Sequence, residues 1–302
     1  MTFALAQFPT PNLPIQPIET ASLWPHKVHL SVLRADLADP LLSGNKFFKL
    51  KYNLLEAQCL GHTRLLSFGG VWSNHLHALA AAGQRFGFST TGIVRGDFGA
   101  ATNACLQDVI TMGMQLHFVS RTEYQHKNTP EFIANLRQQI GDFYLIPEGG
   151  ANRAGIRGCQ ELLPPGVDSN FTHLALACGT GTTMAGLITS TRVPVLGIQV
   201  LKGAGYLQGE IANILQQHDL HATAPWTVLD EFHGGGYAKV DKYLLSFIKD
   251  FTDATGIPLE PVYSAKLFQA LTRLVAMDYF PENSRILAIH GGGLQGKRGF
   301  LC

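Results

Sequence analysis

Between positions 63 and 146 short apolar runs alternate with helix-length segments, and only a few residues separate them. Segments 63–68, 91–94, 116–119 and 143–146 read as strands. Gly69-Gly70 turns the chain, and Ser73 or Asn74 can cap a helix running to Arg85. Segment 101–112, ended by Gly113, and segment 130–140 read as further helices. Parallel neighbours need a crossover between them, so this order implies a mostly parallel sheet with helices on both faces. After Pro164-Pro165-Gly166 the rhythm resumes, with strands at 174–177, 195–200 and 285–289 and helices from Thr183 and over 265–276. Two α/β units are expected, each an open twisted sheet. In such sheets ligands lie beyond the carboxyl ends of the strands, where the glycine- and hydroxyl-rich segments of this chain fall.

Composition narrows the function classes. Apolar residues are 46% and charged residues 15% of 302, which suits a globular chain with a sizeable core. The net charge is +1 and the basic residues are scattered, so no footprint for nucleic acid or anionic lipid is expected. No apolar run approaches the roughly 18 residues of a membrane helix. The first basic residue is Lys27, and the opening residues lack the pattern of a secretory signal. Five cysteines, at 59, 105, 159, 178 and 302, include no C-x-x-C pair. Disulfides and a metal site are not expected, and a cytoplasmic setting is. Asn170-Phe171-Thr172 is read as a chance glycosylation match.

Cys178-Gly179-Thr180-Gly181-Thr182-Thr183 follows a strand and opens a helix. Backbone N–H groups, the helix dipole and hydroxyls there can hold a phosphate. A Walker A loop would need a lysine at its end. A dinucleotide fingerprint would need a glycine at Met184 and an acidic residue about 20 positions on, and 185–209 contain none. A compact phosphomonoester and an ordinary strand–helix turn both stay open at this point. Ser43-Gly44-Asn45-Lys46-Phe47-Phe48-Lys49-Leu50 is the second unusual segment. A desolvated lysine becomes a usable nucleophile; the plain alternative is a surface lysine on the first turn of a helix.

The order of these segments resembles the fold-type II pyridoxal-phosphate enzymes, which are tryptophan synthase beta-like. Within them it resembles the D-cysteine desulfhydrase and 1-aminocyclopropane-1-carboxylate (ACC) deaminase family. The resemblance rests on Gly-Asn-Lys-x-x-Lys-Leu at 44–50 and Gly-Gly-x-x-Ser-Asn-His at 69–75. Pro-Val-Tyr at 261–263 and His-x-Gly-Gly at 290–293 support it. It implies that Lys46 bonds pyridoxal 5'-phosphate and later serves as base at the substrate Cα, with Lys49 near the cofactor. Ser73, Asn74 and His75 match the substrate-carboxylate segment, with Asn74 also at the cofactor. Gly179, Thr180, Gly181, Thr182 and Thr183 match the phosphate cup. Tyr237 and Tyr263 match tyrosines that face the substrate, and Ser264 the position near the ring nitrogen. His75-x-His77 is not read as a metal site, because residues two apart on a helix diverge.

Two departures bear on the substrate. ACC deaminases resemble one another in a glutamate where Ser264 stands, and a serine leaves the ring a weaker electron sink. They also carry a bulky apolar residue, and the desulfhydrases a threonine, where this chain has Gly291, a departure that counts against ACC and matches neither group. The expected reaction is therefore α,β-elimination from a small, D-configured amino acid such as D-cysteine, giving pyruvate, sulfide and ammonia. ACC ring opening is the alternative, and a non-catalytic cofactor or amino-acid binder a further one. A larger domain of residues 1–52 and 153–302 is expected, with a smaller one of 53–152 and the cleft between them. A homodimer is the expected assembly.

Overall fold

The alternation resolves into two sheets in the computed structural model, which describes residues 8, 11–19, 28–96, 103–203 and 205–300. One sheet has the order β5(Gln115–Val119), β4(Ser89–Arg95), β3(Arg64–Gly70), β6(Tyr144–Leu145), and every pair is parallel. The other has the order β1(Ile15–Ile18), β2(Val28–Leu33), β10(Ser284–Ile289), β7(His173–Cys178), β8(Val195–Gln199), β9(Trp226–Leu229). Only the β1–β2 pair is antiparallel, at one edge. Strands buried on both faces lose the alternation of a half-exposed strand; all five residues of β8 are buried, and so are the five inner residues of β4.

Helices α1(Asn45–Cys59), α2(Asn74–Phe86), α3(Ala104–Thr111), α4(Arg121–Tyr124) and α5(Pro130–Ile140) come first. They are followed by α6(Arg153–Cys159), α7(Thr182–Ile188), α8(Tyr206–Gln217), α9(Lys242–Thr255) and α10(Ser264–Ala276). The helix expected to begin at Ala101 begins at Ala104 behind an Asn103 cap; positions 101 and 102 lie outside the described residues. Strands β1, β2 and β9 and helices α4, α6, α8 and α9 add to those expected from the sequence. Among the described residues no helix is long and apolar enough to cross a membrane.

One apolar cluster joins the two sheets. It contains Leu174, Leu176 and Leu287 from one sheet, Leu65 and Val94 from the other, and Phe47, Leu50 and Leu54 of α1 between them. Position 52–53, the expected domain boundary, falls inside α1. Helix α6 crosses α1 so closely that a Cβ on Gly158 would stand 1.8 Å from the Phe48 carbonyl oxygen. Gly158→Ala should push the helices apart and cost about 2–3 kcal/mol, despite alanine's better helix propensity. Calorimetry should read this as a Tm lowered by roughly 3–5 °C; an unchanged or raised Tm would show the contact to be slack.

Candidate active site

A cavity of about 350 Å³ opens where β3, β4, β7 and β10 end, within the size range of small-molecule sites. Its wall is built from the strand ends Gly70 and Arg95 and from the turns that follow β3, β7 and β10, with Ser73 and Asn74, Gly179, Thr180, Gly181 and Thr183, and Gly291–Gly293. The fourth side is the first turn of α1, which carries Lys46 and Lys49.

Lys46 does stand in the first turn of a helix, but that turn faces the cavity and not the solvent. The chain enters α1 through Gly44 at φ +63°, where a Cβ would stand 1.9 Å from the Gly291 carbonyl oxygen. The Asn45 N–H donates to the same oxygen at 3.2 Å, so the loop after β10 holds the lysine turn in place. Lys46 Nζ donates to Asn45 Oδ1 at 2.9 Å. Burial, and then the neighbouring Lys49, push the Lys46 amine down to about 7, so about half of it is unprotonated at neutral pH. One turn on, Lys49 is almost wholly buried, donates to the Gly149 carbonyl oxygen at 3.0 Å, and is itself lowered by burial.

Opposite stands the start of α2. Ser73 caps it, its hydroxyl accepting from the Leu76 N–H at 3.2 Å. An anion arriving there meets the positive end of the helix. The Asn74 side chain accepts from Gln295 Nε2 at 2.9 Å, which leaves its amide nitrogen to donate. His75 lies 3.0 Å from the Ser67 hydroxyl, and burial, followed by the charges of Lys46 and Lys49, holds its imidazole neutral. His77 points instead to Asp108, 3.4 Å away. The two histidines therefore diverge.

The turn from β7 into α7 forms the third wall. No side chain caps α7, so its first N–H groups are left for an acceptor from outside. Thr183 Oγ1 accepts from Asn45 Nδ2 at 2.9 Å, which ties the glycine-rich turn to the lysine turn. Gly179, Thr180, Gly181 and Thr183 line the cavity; the Thr182 side chain is fully buried behind it, its hydroxyl 3.2 Å from that of Thr180.

Tyr237 and Tyr263 meet edge to face, ring centroids 6.4 Å apart. Burial raises both phenols, that of Tyr263 well above its ordinary value. Each is thus held protonated, a donor and not a base at neutral pH. Ser264 lines the cavity, but its hydroxyl accepts from the Glu260 N–H at 2.8 Å and donates back to the Glu260 carbonyl at 3.2 Å. A Cβ on Gly291 would meet nothing nearer than Asn45 Nδ2 at 3.8 Å, so the floor has room for a larger residue.

Thirteen positions singled out from sequence converge on this cavity, all but Thr182 on its surface. Three that position them carry no motif signal. Glu260 is buried, and its carboxylate accepts the N–H groups of Val262, Tyr263 and Ser264 at 2.6–2.8 Å. Gln295 orients Asn74. Lys266, buried in α10, donates to the Gly236 carbonyl at 2.6 Å and steadies the loop before Tyr237. Gln295 and Lys266 act through partners on distant segments, whereas Glu260 caps its own turn at the entry to α10.

The donor set fits a small phosphorylated aldehyde. Uncapped N–H groups and hydroxyls at one end suit the phosphate, and an amine about half unprotonated at neutral pH at the other can bond the carbonyl carbon. Comparisons with known proteins agree. A family model described as pyridoxal-phosphate dependent enzyme matches residues 8–292. The bifunctional D-cysteine desulfhydrase/ACC deaminase of Arabidopsis thaliana is 30% identical over 98% of this chain and 79% of its own. The D-cysteine desulfhydrase of Serratia proteamaculans is 26% identical over 96% of this chain and 95% of its own. A solved ACC deaminase homologue superposes with a TM-score of 0.81 at 24% identity, over 97% of this chain and 94% of that one.

Proposed function

Because the chain belongs to the pyridoxal-phosphate-dependent enzyme family, in the branch that includes D-cysteine desulfhydrases and ACC deaminases, we propose that it eliminates a β-substituent from a small amino acid. D-Cysteine, giving pyruvate, sulfide and ammonia, is the model substrate. The observation that carries the reading is Lys46, an amine lowered to about 7 in a cavity whose opposite walls suit a phosphate and a carboxylate.

When bound, the cofactor supplies an electron sink for the charge left at the substrate Cα. Gly179, Thr180, Gly181 and Thr183, with the first N–H groups of α7, hold its phosphate, and Lys46 bonds its carbonyl carbon. Ser73 and the Asn74 amide hold the substrate carboxylate at the start of α2. Lys46, free and unprotonated, takes the proton from Cα. Tyr237 and Tyr263, both protonated at neutral pH, donate hydrogen bonds to the departing group. Ser264 adds no charge near the ring, and its hydroxyl proton is directed at the Glu260 carbonyl. That arrangement favours expulsion of a thiolate over opening of an unactivated ring.

The reading includes a larger unit of 1–52 and 153–302 and a smaller one of 53–152, supported by the segregation of the strands into two sheets. It also includes a homodimer as the assembly. Purified protein loaded with cofactor should release pyruvate from D-cysteine, β-chloro-D-alanine or D-serine, measured with a coupled lactate dehydrogenase assay. Release of 2-oxobutyrate from ACC with no pyruvate from these three would replace elimination by ring opening. No product from any of them, with cofactor bound, would leave only a binding role.

A further inference from the structure

The cavity does not end at the reactive lysine. Gly70, Asn74, Arg95, Tyr237 and Tyr263 also wall an outer cavity of about 680 Å³, which continues past Arg121. Such a volume exceeds what the side chain of cysteine needs. Its charge is informative as well. Arg95 and Arg121 are exposed on its wall, and neither has a carboxylate partner among the described residues. The nearby acids are engaged elsewhere: Glu148 lies 3.5 Å from Lys127 Nζ, and the Glu260 carboxylate accepts backbone N–H groups.

Arg95 is held in place without being neutralised. It is the last residue of β4, in register with Gly70 of β3, three residues before Ser73. Its guanidinium carbon lies 5.4 Å from the centre of the Tyr124 ring. A cation–π approach of that length draws the guanidinium to the ring and leaves its N–H donors free. Arg95 Nη2 lies 3.8 Å from where a Cβ on Gly70 would stand, so the absent side chain there leaves the guanidinium open to the cavity.

We infer that Arg95, with Arg121 beyond it, binds a second anionic group carried on the β-substituent of the substrate, which makes the substrate an acidic amino acid larger than cysteine. The inference rests on the elimination reading and names the substrate class of the same site. The substrate's own carboxylate occupies the Ser73–Asn74 end, and the departing group extends past the tyrosines to Arg95. The chemistry balances with water alone. The Cα proton passes to Lys46, and the Cβ–S or Cβ–O bond breaks with its electron pair on the departing group, which leaves with its anion. Water then converts the three-carbon enamine to pyruvate and ammonia.

The test uses two probes of nearly equal shape, S-carboxymethylcysteine and its neutral amide S-carbamoylmethylcysteine, each as D and L isomer. Holoenzyme is titrated with each, and binding is read from the shift of the cofactor absorption band and from calorimetry. Pyruvate release then separates KM from kcat. The carboxylate should bind about tenfold to a hundredfold more tightly than the amide, with the ratio shrinking as salt rises. Arg95→Gln should bring the ratio close to one, while Arg95→Lys keeps part of it. Equal affinities in the wild type, or a ratio that survives Arg95→Gln, overturn the inference. An Arg95→Gln variant that weakens both probes alike overturns it too, by moving Arg95 to the α-carboxylate. D-Cysteine turnover with a ratio of one would leave the elimination reading standing and remove this inference alone. A band that responds to no amino acid removes both.

Discussion

Lys46→Met is expected to abolish pyruvate release, by at least about 10³-fold, and to raise the Tm of the cofactor-free protein by several degrees. The two effects have one cause. Burial beside Lys49 brings the Lys46 amine down to about 7 from the 10.5 of a free lysine. Between those values the unfolded chain binds a proton that the folded chain does not. Stability linked to this group therefore rises with pH across that window and is lost as pH falls through it. Methionine keeps most of the volume and removes the titrating group, so the penalty below pH 10 disappears with it. The checks are the visible absorption band of lysine-bound cofactor, which should vanish, and melts at several pH values. In the wild type the Tm of the cofactor-free protein should climb from pH 7 towards pH 10 relative to the variant. Loss of activity with a lowered Tm would mean that the lysine holds the fold together. Retained activity would remove Lys46 from the chemistry. Sites that trade stability for reactivity behave as proposed here.

Glu260→Ala should be the most destabilising of the substitutions considered. The carboxylate is buried and accepts three backbone N–H groups at the entry to α10. Burial raises its carboxyl, and those same donors pull it part of the way back. Alanine would orphan all three N–H groups at once. Removing one partner of a buried charged network costs about 3–5 kcal/mol, a drop in Tm of roughly 5–8 °C for a chain of this size. Denaturant melts of Glu260→Ala and Glu260→Gln give the comparison. The amide keeps the shape and one acceptor oxygen, so glutamine should fall between alanine and the wild type. Cofactor affinity should weaken in both variants, because Tyr263 and Ser264 are positioned by the lost bonds. A Glu260→Ala protein with wild-type stability would show that water can replace the carboxylate.

Much of the site was legible because its signals are local. Ser73 caps α2 for the reason any short polar residue caps a helix, and Pro130 opens α5 for the reason proline suits a first turn. The glycine-rich turn between β7 and α7 is a short-range feature too. The Thr182 side chain, buried behind the cavity surface, shows the limit: a hydroxyl's position in a loop does not say which way it points. Edge strands β1 and β9, four residues each, carry too little periodicity to be read against turn-rich surroundings.

By itself the sequence determined the α/β order, the helix caps and the lysine–serine–glycine segments that mark a cofactor enzyme, because these depend on neighbours within a few residues. Only the tertiary structure decided that Lys46 is an amine about half unprotonated at neutral pH. That requires Lys49, the Gly291 loop and Asn45 reaching Thr183, 138 positions away, to close around it. Only the tertiary structure brought Gln295 to Asn74 across 221 positions, Lys266 to the Gly236 carbonyl across 30, and Arg95 to the cavity wall. Desolvation and charge pairing depend on what surrounds a group in space, and that surrounding is assembled from strands that meet only when both sheets have formed.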